Sequence, residues 1–196
     1  MLLYDISTDI LTAQVYEGDP EPTLEYIKSC ENGDDYNLSV LKTCMHTGTH
    51  IDAPFHYDTD GSKIEDMKLS HFYGKCTVVT IKGILTGEDM ERLLPYCKRR
   101  LLLHGDGEAF LSYSAAVVIA DSDICLVGTD GISVSTGFDE NRTHMEFARS
   151  NIAVLEGLNL AGIRDGEYTL CAFPIKVSGA EAAPCRAVLM EQEKGI

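Results

Sequence analysis

The chain has no tryptophan, only sixteen basic residues against thirty-one acidic ones, and no uninterrupted apolar run longer than Ala115–Ala120. A membrane-spanning helix needs about 20 consecutive apolar residues, so no span is expected. The N-terminus, MLLYDISTDI, lacks the basic region ahead of an apolar run that marks a secretory signal. A formal charge of -15 repels phosphate backbones and anionic bilayers, which excludes nucleic acid and membranes as partners. No C-x-x-C pair joins any of the seven cysteines, Cys30, Cys44, Cys76, Cys97, Cys125, Cys171 and Cys185, and their number is odd. Cys76, Cys125 and Cys171 fall inside apolar strand-like runs, where a reduced thiol packs as a small hydrophobe. With no histidine or charge motif around any one thiol, a cysteine nucleophile is disfavoured, and a reducing cytoplasm is the expected compartment.

What is present suits one compact domain over residues 1–196. Leu2–Ile6 reads as a strand, the Gly18-Asp19-Pro20 stretch as a turn, and Tyr36–Cys44 as a strand leading into a histidine-rich segment. Thr77–Ile81 and Arg100–Leu103 are strands flanking a helix over Gly87–Lys98. Ser112 caps a helix through Ala120, and Ile124–Val127 is a buried strand ending in the Gly128-Thr129-Asp130-Gly131 loop. Arg142–Ser150 is a short helix, Ile152–Leu155 a strand that delivers Glu156 to its carboxyl end, and Tyr168–Val177 with Arg186–Met190 the last strand pair. Glu191–Ile196 is expected to fray. Short strands alternating with short helices give a mixed α/β, or α+β, domain.

Three of the six histidines, His46, His50 and His56, lie within eleven residues alongside Asp52, in H-T-G-T-H-I-D-A-P-F-H. Gly48, the β-branched residues and Pro54 oppose a helix there, so the segment is predicted to be extended. Alternate side chains of a strand share a face, which would set His46, Gly48, His50 and Asp52 on one side, with Gly48 leaving room for an ion. Two imidazoles and a carboxylate are a partial coordination sphere for zinc or a similar ion. Pro54 would turn the chain, freeing His56 to stand beside the metal as a proton carrier. Cys44 shares parity with His46 and stays open as a ligand, although packing beneath the site is the preferred reading. His71 reads as structural; His104, in H-G-D-G, is either at the mouth of the site or in a plain turn.

This string closely resembles the H-x-G-T-H-x-D-x-P-x-H signature of the cyclase family of metal-dependent hydrolases, whose best-known members are bacterial kynurenine formamidases. Gly18-Asp19-Pro20, V-G-T-D-G-I-S, P-I-K-V-S-G-A and P-C-R-A extend the likeness over nearly the whole chain. The resemblance implies a swivelling β/β/α fold with a mixed central sheet. It implies that His46, His50 and Asp52 bind metal and that His56 is the catalytic acid/base. It also promotes His144 and Glu156, twelve residues apart, to a further metal ligand and a metal-bridging carboxylate. Where the family carries an aromatic-Pro-Gly-Asp sequence this chain has Tyr16-Glu17-Gly18-Asp19, so Tyr16 is the expected substrate-binding aromatic face, with Phe55 as a neighbouring alternative. Asp130 resembles the family's loop aspartate and is expected to support the site without ligating.

The function implied is metal-dependent hydrolysis of a small amide by activated water, arylformamidase-like, converting N-formylkynurenine to kynurenine and formate. The cofactor implied is zinc, two ions per chain, with manganese as an alternative. Another small amide, a cyclic imide or a lactone is the second reading, and a noncatalytic metal- or ligand-binding protein the third. The expected partners are a small-molecule substrate and a second copy of the chain, in a homodimer or higher homo-oligomer.

Overall fold

Leu101–Leu103, Leu126–Val127 and Ala153–Leu155 are apolar at every position, a pattern that suits strands buried on both faces. The computed structural model of the chain describes residues 1–191 and puts these runs side by side at the centre of a sheet. In chain order the strands are β1 (Leu2–Asp5), β2 (Thr23–Lys28), β3 (Leu38–Lys42), β4 (His50–Asp52), β5 (Tyr73–Thr80), β6 (Gly83–Leu85), β7 (Arg100–His104), β8 (Ala109–Leu111), β9 (Leu126–Thr129), β10 (Ala153–Glu156), β11 (Gly166–Cys171), β12 (Ala182–Pro184) and β13 (Val188–Glu191). The helices are α1 (Gly87–Leu93), α2 (Tyr113–Ala120) and α3 (Glu140–Arg149).

Nine strands form one mixed sheet in the order β1-β13-β11-β5-β7-β9-β10-β4-β12. The middle four, β5, β7, β9 and β10, run parallel, and the flanking strands pair antiparallel. The period-2 alternation of a strand divides the core. Leu101, Leu103, Val127 and Val154 face Met90 of α1, Ala115, Ala116 and Ile119 of α2, and Phe147 of α3. Leu102, Leu126 and Leu155 face the opposite way, joining Ile51, Phe72, Val78, Leu170 and Leu189. That second cluster draws on strands from both halves of the sheet, so the sheet must curl. The Ser7–Leu158 bridge and the Asn159 N–H donating to the Ile6 carbonyl at 2.9 Å close the curl. The mixed α+β expectation is met, with three helices and a curled mixed sheet.

Local chemistry explains most boundaries. Thr86 and Asp89 form a reciprocal capping box at α1, and Ser112 accepts the Ala115 N–H at the start of α2. The helix expected over Gly87–Lys98 ends at Leu93 and tightens to a 3₁₀ turn over Leu94–Tyr96, where Pro95 has no N–H to continue it. The strand expected over Tyr168–Val177 stops at Cys171, three residues short of Pro174. Glu191 is not frayed but closes β13; 192–196 lie outside the described residues. Four strands gave no sequence signal: β6, β8 and β12 are three residues long each, and β2 pairs only with β3 among the described residues, in a separate ribbon.

Phe147 is fully buried between α3 and the helix-facing side of the sheet. Phe147→Ala is expected to lower unfolding free energy by about 3–5 kcal/mol, since the rigid strands beneath cannot collapse into the void. Urea denaturation measures this; a loss under about 1 kcal/mol would show that α3 does not seat through this side chain.

Candidate active site

Glu156 ends β10, and the β4–β10 register sets His50 directly opposite it and Asp52 opposite Val154. His50 and Asp52, two residues apart on β4, share a face. His50 Nε2 lies 3.3 Å from Asp52 Oδ1 and 3.6 Å from Glu156 Oε2. His46 brings its Nδ1 to 2.9 Å from the same Asp52 oxygen, and His144, on α3, brings its Nε2 to 3.7 Å from Glu156 Oε1. All five sequence-nominated metal residues therefore converge. His56 is with them: Pro54 starts a 3₁₀ turn that carries the imidazole back to 4.2 Å from the His46 ring, centroid to centroid.

The convergence is not reached through one extended face. Only His50–Asp52 is strand; His46 sits in a turn, and Gly48 has φ +71°, a left-handed conformation that folds the chain back. Nor does Gly48 leave room for an ion. A Cβ there would lie 3.1 Å from the Ile10 backbone and 3.3 Å from the Thr8 carbonyl oxygen, and a Cβ on Gly157 would collide with the Gly48 carbonyl. These glycines allow three backbone segments to cross tightly under the histidines.

The donor set fits a cation. His50 Nδ1 lies 2.9 Å from the Gly48 carbonyl, which can only accept, so Nδ1 carries a proton and Nε2 is the ring nitrogen turned to the two carboxylates. His50 Nε2 and Asp52 Oδ1 are buried without a hydrogen-bond partner among the described residues, an arrangement that costs free energy until something positive sits between them. Two overlapping groups, His50-Asp52-Glu156 and His46-Asp52-His56, each have donor atoms within 4.8 Å of one another, and they share Asp52. Nitrogen and carboxylate donors of this kind suit first-row divalent ions.

Electrostatics agree. Burial and the neighbouring Asp52 charge hold Glu156 well above the usual carboxylate range. Burial also pushes Asp52 up, but the His46 and His50 imidazoles outweigh it and keep Asp52 well below that range. Without a cation the pair thus holds one negative charge, as two like charges in one buried site must. Burial lowers His144 to about 4 and lowers His56 below its ordinary value, leaving both neutral. His46 is pulled the other way, raised by Asp52 and Glu181 against the effect of its burial.

The pocket over this centre has a volume of about 230 Å³, at the small-metabolite end of ligand sites. Tyr16 lines it as expected, its hydroxyl 3.3 Å from Glu140 Oε1. Phe55 does not; it packs beneath the Lys63 ammonium, and the aromatic wall is Tyr57, stacked on His144 at 4.7 Å. Tyr57 follows His56 directly and could have been nominated with it. Glu140 was also missed, although it precedes His144 by one helical turn on the same face. Glu181, 3.3 Å from His46 Nε2, had only its acidity as a signal.

The remaining candidates fall outside the centre. Cys44 donates to Asp19 Oδ2 at 3.4 Å and does not face the carboxylates. Asp130 accepts the backbone N–H groups of Gly105, Asp106 and Gly107 and so shapes that turn, a structural role. His104 lies between Asp106 and Asp130 and does not line the pocket. His71 is buried, its Nδ1 on the Lys68 carbonyl at 3.0 Å, a structural histidine.

Comparison with known proteins gives independent findings. The Cyclase family model matches residues 4–136. A kynurenine formamidase from Delftia acidovorans is 31% identical over 201 residues, spanning 95% of this chain and 96% of its own. A solved structure described as a potential metal-dependent hydrolase with cyclase activity superposes with a TM-score of 0.82 at 27% identity, covering 98% of each chain. Isatin hydrolase A from Labrenzia aggregata shares the fold, with a TM-score of 0.82 at 18% identity over 98% of this chain and 94% of its own.

Because Glu156 is raised above its ordinary value of 4.5, its contribution to stability is full below that value and is lost as pH rises through the raised one. Glu156→Gln keeps an oxygen for the Val134 N–H and removes the charge. The metal-free variant is expected to melt higher than the parent near neutral pH, with no advantage near pH 4, and to gain less from added zinc. Thermal scans at both pH values check this; a lower midpoint at neutral pH with an undiminished zinc response would refute it.

Proposed function

Because this chain belongs to the Cyclase family, we propose that it is a metal-dependent hydrolase of non-peptide amide bonds, arylformamidase-like, acting on N-formylkynurenine or a close analogue. The observation that carries the reading is the pair of buried atoms without a well-formed hydrogen bond, His50 Nε2 and Asp52 Oδ1, among convergent imidazoles and carboxylates. His46, His50, Asp52, His144 and Glu156 are the proposed ligands, zinc the proposed ion, and the shared Asp52 supports two ions per chain. When bound, such ions polarise a carbonyl and lower the pKa of a coordinated water from about 16 towards neutrality.

The chain's own residues supply the proton handling. Amide hydrolysis forms a bond from water oxygen to the carbonyl carbon, breaks the C–N bond and needs a proton on the leaving nitrogen. His56, kept neutral by burial, can take the proton from water and return it to the amine. Burial pushes the Tyr57 phenol up, so it keeps its O–H as a donor on the pocket wall. Tyr16 offers an aromatic face to the substrate ring. A noncatalytic binding protein would have no use for a neutral imidazole set 4.2 Å from the ring of a ligand histidine.

The zinc- or manganese-loaded protein is expected to release formate from N-formylkynurenine, and no turnover with either ion would sink the substrate assignment. His56→Ala is expected to cut kcat by about 10²–10⁴-fold while zinc content, measured by atomic emission, is unchanged. An equally active variant would remove His56 from the mechanism.

A homodimer is proposed on a separate observation. Among the described residues the β2–β3 ribbon pairs only with itself, and Leu24, Tyr26, Ile27, Leu38, Val40 and Leu41 are all exposed on it. A lone two-stranded ribbon is marginal in water, and its roughly twenty residues match the 20–30 that a stable protein interface takes from each side. Exchange between two copies would cover both. Leu24→Glu with Leu41→Glu, a cross-strand pair, is expected to convert a dimer to a monomer by light scattering; a parent that is already monomeric at micromolar concentration would overturn the assignment. A cytoplasmic location is supported by seven free thiols, and no helix among the described residues is long and apolar enough to cross a membrane.

A further inference from the structure

The pocket carries charge that the proposed metal chemistry does not use. Glu140 stands one turn before His144 on the same face of α3, half-buried, and lines the cavity with Tyr16, Asp19 and Tyr57. Among the described residues its carboxylate accepts only the Tyr16 hydroxyl. Asp19 accepts the Cys44 thiol on Oδ2, and its Oδ1 has no partner among the described residues. Neither carboxylate has a lysine or arginine within ion-pair distance among the described residues, and no lysine or arginine lines the cavity, whose imidazoles lie at its deeper end. The nearest cation in sequence, Arg142, is committed elsewhere, 3.7 Å from Asp139 and 4.0 Å over the Tyr113 ring. The charge of Glu140 reaches into the pocket, since it is the leading cause of the raised Tyr16 phenol and contributes at Tyr57 and Glu156.

We infer that the outer half of the pocket is a cation subsite, and that this enzyme selects amides bearing an ammonium group near the scissile bond over neutral ones and over ones bearing a carboxylate alone. The inference rests on the amide-hydrolase reading and adds the charge class of its substrate. Glu140 and Asp19 supply the charge, and the faces of Tyr16 and Tyr57 supply the attraction of an aromatic quadrupole for a cation. The net charge of -15 acts in the same sense at long range, speeding the approach of a cation and slowing that of an anion. Discrimination is confined to the mouth: the amide itself lies deeper, against the imidazoles.

The test uses three N-formylanilines with the same ring, carrying an ortho aminomethyl, hydroxymethyl or carboxymethyl group, and the three deformylated anilines as binding probes. With the zinc-loaded protein, the ammonium compound should bind and turn over about fivefold better than the neutral one at low salt, the carboxylate worse, and the spread should narrow with added salt. Glu140→Gln, which retains an acceptor for Tyr16, should remove most of the preference. Glu140→Lys should reverse it. An unchanged ranking in both Glu140→Gln and Asp19→Asn, or no ranking in the parent, overturns the inference. Calorimetry on the anilines separates the two levels: a charge ranking in binding without hydrolysis of any amide supports the subsite and refutes the hydrolase reading. Hydrolysis of all three at equal efficiency does the reverse.

Discussion

The register of β4 against β10 is the constraint on which the rest depends. Pairing Glu156 with His50 and Val154 with Asp52 places two carboxylates and an imidazole on one side of a fully buried strand pair. Slipping the register by one residue would turn His50 and Asp52 into the apolar cluster around Ile51 and put Ile51 in the site. Ile51 is fully buried on the opposite face and Leu155 is its partner across the ladder, so the apolar core holds the register that the polar site needs.

That arrangement stores an electrostatic cost. Asp52 and Glu156 cannot both ionise in a dry site without a counter-charge equal to both; burial lowers His56 and His144, the imidazoles beside Asp52 hold down that carboxylate alone, and no lysine or arginine lines the cavity among the described residues. The rest of the fold bears this cost through a large two-faced core, which is where three helices and a nine-stranded sheet matter to function. A divalent ion would reverse the sign of the local balance, so folding stability and metal affinity are linked through the same two carboxylates. The same lack of lysine and arginine extends outward to Glu140 and Asp19, where it bears on substrate choice instead of metal.

Much of this was legible beforehand. The apolar runs located the central strands, the Ser112 cap started α2, and the histidine-rich string with His144 and Glu156 named the residues that converge. What misled was local geometry. Reading His46 to Asp52 as one extended face gave the right neighbours for a wrong reason, because Gly48 adopts a left-handed conformation and the chain crosses itself there. Phe55 and Tyr57 flank His56 with equal aromatic character, and only the 3₁₀ turn after Ala53 decides which ring enters the pocket.

The sequence by itself determined the chemistry available: imidazoles and carboxylates in a spacing that resembles a metal-hydrolase family, an acidic surface, and strands apolar on both sides. Those follow from residue identity and short-range periodicity. Only the tertiary structure decided which oxygen faces which nitrogen, that His50 Nε2 and Asp52 Oδ1 are left without a well-formed hydrogen bond, and that Glu140 and Asp19 share a mouth with Tyr16. These depend on segments more than a hundred residues apart, brought together by sheet register and by glycine crossings, and no local pattern encodes a distance between them.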